Sequence, residues 1–249
     1  MSENIKEFGG ELIERLERAE RTVALTGAGV SVASGIPDFR SPGGIYSKVS
    51  QRTFELDFLY RQPEAYYAIA REYIHPLADK EPNATHKMLA ELERRGLLEA
   101  IITQNIDSLH QKAGSKKVIE FHGNVNSFHC VRCNKPYERA EVEEKIENQR
   151  VPRCPCGGLI RPGIVFFSDP IPLRALEESS KLSRGCDVFI AMGSSLTVQP
   201  AASLPVFANH GSAEVYIVNR EPTRLDSLAT VCLHENVEAF SQQVMELLS

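Results

Sequence analysis

No stretch of the 249 residues is apolar for long enough to cross a bilayer, so a helical membrane protein is not expected. The N-terminal run from Met1 to Glu7 is polar and carries acids. It has neither the basic start nor the apolar stretch of an export signal, and a cytoplasmic location is expected. Lysine and arginine are nowhere dense enough to track a phosphate backbone, and the net charge is −5, so direct nucleic-acid binding is not expected. Internal repeats, low-complexity segments and heptad seams are lacking too. What is present is ordinary for a soluble globular chain: 42% hydrophobic and 24% charged residues, in a length that fits one large domain or a domain with a smaller insertion.

Apolar runs and helical stripes alternate along the chain. Phe8, Leu12, Ile13 and Leu16 mark an amphipathic helix over 4–19. Thr22–Thr26 is a short β-prone run that reads as a buried strand, as do 98–103, 118–121, 188–192 and 214–218. Helices are expected over 64–74, opened by Pro63, and over 86–95, closed by Gly96. Two more are expected over 106–113 and 236–248. Strands alternating with helices imply βαβ units and an α/β fold with a parallel sheet. Four of the strands end in Thr26-Gly27, Thr103-Gln104, Met192-Gly193 and Val218-Asn219. Ligands of open parallel sheets bind beyond such carboxyl ends, so these segments are expected to converge on one crevice.

From about 124 to 159 the apolar runs stop, charge rises and Cys130, Cys133, Cys154 and Cys156 appear. In a reducing compartment four such cysteines read as a structural zinc site, with metal-free thiols as the alternative. Ile164 to Phe167 then resumes the main domain. Cys186 and Cys232 stand alone and read as packed thiols.

Gly27-Ala28-Gly29 directly follows the first strand. Glycines there allow a sharp turn and a close approach by a pyrophosphate, with the amides of a following helix aimed at it. The run continues Val30-Ser31-Val32-Ala33, so it is not the full dinucleotide fingerprint. A tight turn without ligand is the alternative. Next comes Ser34-Gly35-Ile36-Pro37-Asp38-Phe39-Arg40, a compact polar loop. Arg40 can neutralise phosphate, Phe39 can cover a ring or sugar, and Pro37 stiffens the approach.

Together these two segments resemble the signature of sirtuins, the NAD-dependent protein deacylases, and bacterial members most. Thr103-Gln104-Asn105-Ile106-Asp107 resembles a second signature of that family, Phe121-His122-Gly123 a third and Gly193-Ser194-Ser195 a fourth. The cysteines fall where the family carries zinc. The resemblance runs from about residue 20 to the C-terminus. It implies a Rossmann-type large domain, approximately 1–40, 79–123 and 160–249. The small domain would comprise a helical insert at approximately 41–78 and a zinc ribbon at approximately 124–159. NAD as co-substrate and an acetylated lysine of a protein or peptide partner would meet in the cleft between the two.

By that resemblance His122 is the general base and Asn105 contacts the ribose and an ordered water. Asp107 binds the nicotinamide carboxamide, and Gln104 and Ile106 help form that pocket. Gly27, Ala28, Gly29, Val32, Asp38, Phe39 and Arg40 complete the near side of the NAD site. Gly193, Ser194 and Ser195 hold phosphate and adenosine ribose, Asn219 meets that ribose, and Val237 lies near the adenine. Phe39, Ile164, Val165, Phe167 and Val198 line an acyl-lysine tunnel. Helix capping by Asn105 or Asp107, capping at the Ser194 and Asn219 turns, and core packing by the tunnel residues are the competing readings. The other six histidines, at 75, 86, 110, 129, 210 and 234, match no motif and are expected to be structural.

Two places depart from the family pattern. Cys154-Pro155-Cys156 has one residue between its cysteines where two are usual. Ser168-Asp169 stands where sirtuins usually show glycine and glutamate. Tyr66, Tyr67, Arg71 and Tyr73 do not form the Tyr and Arg arrangement of the desuccinylating members, so acetyl-lysine is the expected substrate. The competing activities are mono-ADP-ribosyl transfer or NAD hydrolysis from the same pocket, deacylation of another acyl group, and non-catalytic NAD binding. A hydride-transferring dehydrogenase does not fit a turn that runs into the Asp38-Phe39-Arg40 loop.

Overall fold

A computed structural model describes residues 2–249. Six strands form an all-parallel sheet: β1 (Thr22–Thr26), β2 (Ala100–Thr103), β3 (Val118–Glu120), β7 (Val188–Met192), β8 (Glu214–Val218) and β9 (Val231–Leu233). Their order is β3-β2-β1-β7-β8-β9. The three remaining strands, β4 (Gly123–Cys130), β5 (Pro136–Glu138) and β6 (Ile160–Ile164), form a separate antiparallel sheet in the order β5-β4-β6. The α/β architecture expected from the alternation of runs is the one observed.

Every residue of β1 and β7 is buried, because helices cover both faces of the sheet. Alternate side chains divide between two cores. Ala24, Ile190 and Met192 join Phe8, Leu12 and Leu16 of the N-terminal helix, Met88 and Leu92 of Ala84–Arg94, and Phe240 and Val244 of Val237–Leu247. On this face Phe8 stands edge-on to Tyr216 at 6.0 Å and to Phe240 at 5.5 Å. Val23, Leu25, Phe189 and Ala191 face the other way, onto Leu204 and Ala208. Each fully buried leucine contributes about 2 kcal/mol of transfer free energy, so the two layers hold the strands in register.

The helical insert and the small sheet share a third core, with Leu59, Tyr66, Tyr67 and Ile74 packed among Phe128, Val142, Ile146 and Ile160. Tyr67 ties the two by donating its hydroxyl proton to the Ile160 carbonyl. Ile160–Ile164 pairs with β4 in the small sheet.

Local structure changes one expectation, the helix at 106–113, and adds detail elsewhere. The helix that follows the glycine turn is a 3-10 helix, Ala28–Ser34. The helix read at 106–113 is only Leu109–Lys112. The Ile106 carbonyl accepts from Val125 N–H at 2.9 Å, and Ser108 takes φ +60, so neither residue can continue a helical ladder. Finally, the helix Leu173–Gly185 was not expected; Ala175, Leu176 and Leu182 pack partly buried against the core, while Ser179 and Ser183 take its fully buried positions.

Candidate active site

The strand order reverses between β1 and β7, and the loops beyond their carboxyl ends meet there. Gly27 N–H donates to the Met192 carbonyl at 3.1 Å, and Gly29 N–H donates to the Gly193 carbonyl at 2.8 Å. A Cβ on Gly27 would lie 2.8 Å from the Gly193 oxygen, and one on Gly29 2.8 Å from Gly193 Cα. Gly193 itself sits at φ +59, where a Cβ would reach Val30 N at 2.5 Å. Bare backbone on both sides of the switch point lets the two turns pack directly on each other, a cradle that side chains would block.

Asn105 bridges the loops. Its side-chain amide donates to the Gly27 carbonyl at 3.1 Å and lies 3.1 Å from Ser31 Oγ. The Ser31 hydroxyl donates to Asp107 Oδ2 at 2.7 Å, and Leu109 N–H donates to Asp107 Oδ1 at 3.0 Å. Asp107 is buried, and loss of solvent raises its carboxyl above the usual range against the pull of these bonds. It therefore accepts the first N–H of the short Leu109–Lys112 helix from the position before the Ser108 cap, while Ser31 joins it to Asn105. Gln104 donates from Nε2 to Ser194 Oγ at 2.9 Å, linking the β2 loop to the β7 loop. Ile106 packs, partly buried, against the core of the small sheet.

His122 follows β3. Its Nδ1 lies 2.9 Å from the Gln104 carbonyl oxygen. A carbonyl only accepts, so Nδ1 carries the proton and Nε2 keeps a free lone pair. Burial pushes the imidazole below the ordinary histidine range, opposed by the bond to Gln104. The His122 carbonyl in turn accepts from Val165 N–H at 2.9 Å, which fixes the segment after β6 against the histidine.

The other residues expected at the site divide by environment. Arg40 and Val32 are exposed. Phe39 packs against Tyr46 at 5.5 Å and Phe54 at 5.8 Å. Asp38 binds the backbone N–H groups of Arg40 and Ser41 at 3.0 and 2.8 Å, so its carboxylate fastens the loop. Ala28 opens the 3-10 helix. Ser195 lies 3.0 Å from Thr197 Oγ1. Asn219 donates to the Glu221 carbonyl at 2.6 Å. Val237 is buried at the start of the last helix, in the sheet's helix-covered core. Of the tunnel residues, Ile164 is buried, Val165 and Val198 are half-buried and Phe167 is exposed. Phe167 pairs with the helical insert, its N–H donating to Phe54 at 2.8 Å and its carbonyl accepting from Leu56 at 3.2 Å.

Sequence reading missed part of the polar lining. Ser31 was seen only as part of a motif, yet it touches both Asn105 and Asp107. His86 and His110, expected to be structural, are fully buried, within reach of Ser31 and Thr26. The one available signal was that Thr26 and Thr103 both close a strand, and they prove to be register partners.

Cys130, Cys133, Cys154 and Cys156 come together with all four sulfurs within 4.8 Å of one another. Cys130–Cys156 and Cys133–Cys154 are 3.5 and 3.6 Å apart. Four sulfurs at about 2.3 Å from a tetrahedral zinc lie about 3.8 Å apart, so the donor set fits that ion, and four ligands leave no open position. The short Cys-Pro-Cys spacing closes through the glycines after it. Gly157 takes φ +85, and a Cβ on Gly158 would lie 2.5 Å from Cys130 Sγ.

Among the described residues no helix is long and apolar enough to cross a membrane. Known proteins share both sequence and fold with this chain. The model of the Sir2 family matches residues 27–200. An NAD-dependent protein deacetylase of Thermotoga maritima is 49% identical over 237 residues, covering 95% of this chain and 96% of its own length. NAD-dependent protein deacetylase 1 of Geobacillus kaustophilus is 40% identical and covers 88% and 90%. A Sir2 structure with deacetylated p53 peptide and 3′-O-acetyl ADP ribose superposes at a TM-score of 0.92, with 49% identity and 98% of each chain covered. A Sir2 complex with p53 peptide and NAD+ gives 0.91, with 47% identity over 95% of this chain and 97% of that one. With the family model spanning more than half of its length, this chain belongs to the Sir2 family.

Proposed function

We propose that the chain is an NAD-dependent protein lysine deacetylase, which transfers an acetyl group to ADP-ribose and releases nicotinamide. The observation that carries this reading is the geometry of His122. Its Nδ1–H is committed to Gln104, so Nε2 is left as a base in the same crevice as the glycine cradle. NAD supplies the acceptor: its nicotinamide–ribose bond breaks and the ribose takes the acyl group.

His122 Nε2 takes a proton from a ribose hydroxyl. Asn105 meets that ribose and an ordered water, and Asp107 accepts from the nicotinamide carboxamide, with Ile106 and Gln104 closing that pocket. Gly27, Ala28, Gly29, Val32, Arg40 and Gly193 surround the phosphates. Ser194, Ser195 and Asn219 hold the adenosine ribose, near Val237. Phe39, Ile164, Val165, Phe167 and Val198 shield the acyl-lysine from water. The substrate peptide adds as a strand between the segment after Phe167 and Val198-Gln199-Pro200. Phe167 already uses its N–H and carbonyl on Phe54 and Leu56, so the incoming strand takes the backbone from Ser168 on.

The division into a large domain and a small domain of helical insert and zinc ribbon is supported by the separate cores, with β6 counted in the small sheet. Four closely placed free cysteines suit a reducing compartment, which favours the cytoplasm.

Product analysis tests the reading. Protein, NAD and an acetylated peptide should yield nicotinamide and acetyl-ADP-ribose together, and only with the acetylated peptide. ADP-ribose label retained on protein, or nicotinamide release without acetylated peptide, would replace it with transfer or hydrolysis.

A further inference from the structure

His86 and His110 are buried to 0% and 1% exposure, and their ring centroids lie 4.8 Å apart. Neither reaches the crevice surface, and the chemistry above uses neither. Each nonetheless touches a hydroxyl of the site. His86 Nε2 lies 3.4 Å from Ser31 Oγ, while its Nδ1 lies 3.0 Å from Asn83 Oδ1.

His110 begins a longer chain. Its Nε2 stands 2.9 Å from Thr26 Oγ1. The Thr26 hydroxyl donates to Thr103 Oγ1 at 2.9 Å, and Thr103 Oγ1 also accepts the backbone N–H of Asn105 at 3.1 Å. Thr26 has one proton and uses it on Thr103. With the Thr26 proton on Thr103, the nitrogen facing Thr26 is the donor, which corresponds to the Nε2–H tautomer of His110. His110 Nδ1 has no partner among the described residues. An apolar side chain would fill this place without burying a polar nitrogen alone. A histidine is the residue that gives one donor to Thr26 from a ring rigid enough to hold it.

We propose that His110 is a positioning residue for Asn105, acting through the Thr26 and Thr103 hydroxyls on the Asn105 amide. The chain joins the last residues of β1 and β2, which are register partners, and so sets the angle at which the Asn105 side chain leaves β2 toward Gly27. The assignment rests on the reading that Asn105 works at the ribose.

The test compares His110→Leu, His110→Gln, Thr26→Val and Asn105→Ala. Glutamine carries an amide donor near the place of Nε2; leucine fills the volume without one. In the ligand-free protein, His110→Leu should speed hydrogen exchange at the Asn105 amide by about tenfold, the worth of one lost hydrogen bond. The maximal rate of nicotinamide release should fall by a similar factor, with the affinity for acetylated peptide unchanged. His110→Gln should restore both quantities. Thr26→Val, close in volume, should reproduce the leucine result and add nothing to it in the double variant, because both break one chain.

An unchanged exchange rate at Asn105 overturns the proposal, as does a glutamine variant that fails to restore it. Full turnover in His110→Leu, with Asn105→Ala inactive, overturns the proposal and leaves the role of Asn105 standing. Full turnover in Asn105→Ala overturns that role, and the proposal with it. Thr26→Val keeps the test decisive if the leucine variant does not fold.

Discussion

The Nδ1–H of His122 is held 2.9 Å from the carbonyl oxygen of Gln104, the residue that leaves β2 into the same crevice. One backbone atom thereby selects the tautomer and leaves Nε2 as the only basic nitrogen. Burial lowers the imidazole below the ordinary value of 6.5, so the base form already dominates at pH 6.5. The acid limb of kcat/KM for deacetylation should accordingly have its midpoint below pH 6.5. A positioned general base contributes about 10²–10⁴-fold, and His122→Ala should lose a factor in that range in nicotinamide release. A midpoint above 6.5, or turnover intact in the variant, would remove His122 from its role.

The four thiols lead to a second expectation. Purified protein should carry one zinc ion per chain, lost together with the fold of the small sheet on treatment with a strong chelator. Cys130 and Cys154 are buried among that sheet's own core residues, so the ion organises the core as well as the loops. Cys156→Ser should lower the melting temperature by several degrees and reduce the metal content. Full stability in the metal-free protein would show the cluster to be mere packing.

The sheet was legible because Thr22–Thr26, Val188–Met192 and Glu214–Val218 are short, continuous apolar runs, which a strand buried on both faces requires. Leu173–Gly185 was not, since Ser179 and Ser183 interrupt its stripe of Ala175, Leu176 and Leu182; Ser183 hides its hydroxyl by donating to the Ser179 carbonyl at 2.8 Å. The residues at the crevice were legible where they fall in contiguous motifs. Ser31, His86 and His110 were harder, because their contacts join β1, Ala28–Ser34, Ala84–Arg94 and Leu109–Lys112, and spacing along one chain says nothing about contacts between separate elements.

The buried imidazoles also make stability depend on pH. Burial lowers His86 to about 4, and burial with the neighbouring His86 holds His110 well below the usual range. Both are neutral in the native state, whereas unfolding returns each to its ordinary value of 6.5. Their contribution is complete above pH 6.5 and is lost as pH falls toward 4, because the unfolded chain then binds protons that the native one refuses. For His86 the full loss amounts to about 3 kcal/mol at roughly 1.4 kcal/mol per pH unit. Melting temperatures measured between pH 7 and 4.5 should fall less steeply in His86→Gln than in the native protein. Parallel curves would mean that His86 stays neutral in both states or in neither.

Ser168 supplies the last expectation. It holds φ +75, a left-handed conformation that costs a residue with a side chain roughly 1–2 kcal/mol relative to glycine. The loop is kept in that shape from both sides. Phe167 is paired with Phe54 and Leu56, and the Asp169 carboxylate binds Arg161 and accepts from Phe166 N–H at 3.0 Å. Ser168→Gly relieves the native backbone but frees the unfolded chain by a similar amount, so the melting temperature should barely move. A β-branched residue tolerates positive φ far less well, and Ser168→Val should push the loop out of shape. If the peptide docks on this backbone, the valine variant should raise KM for acetylated peptide severalfold and the glycine variant should lower it. KM for NAD should be unchanged in both, because the glycine cradle and Asn105 lie in the loops after β1, β2 and β7. A rise in KM for NAD alone would move the peptide strand away from Ser168.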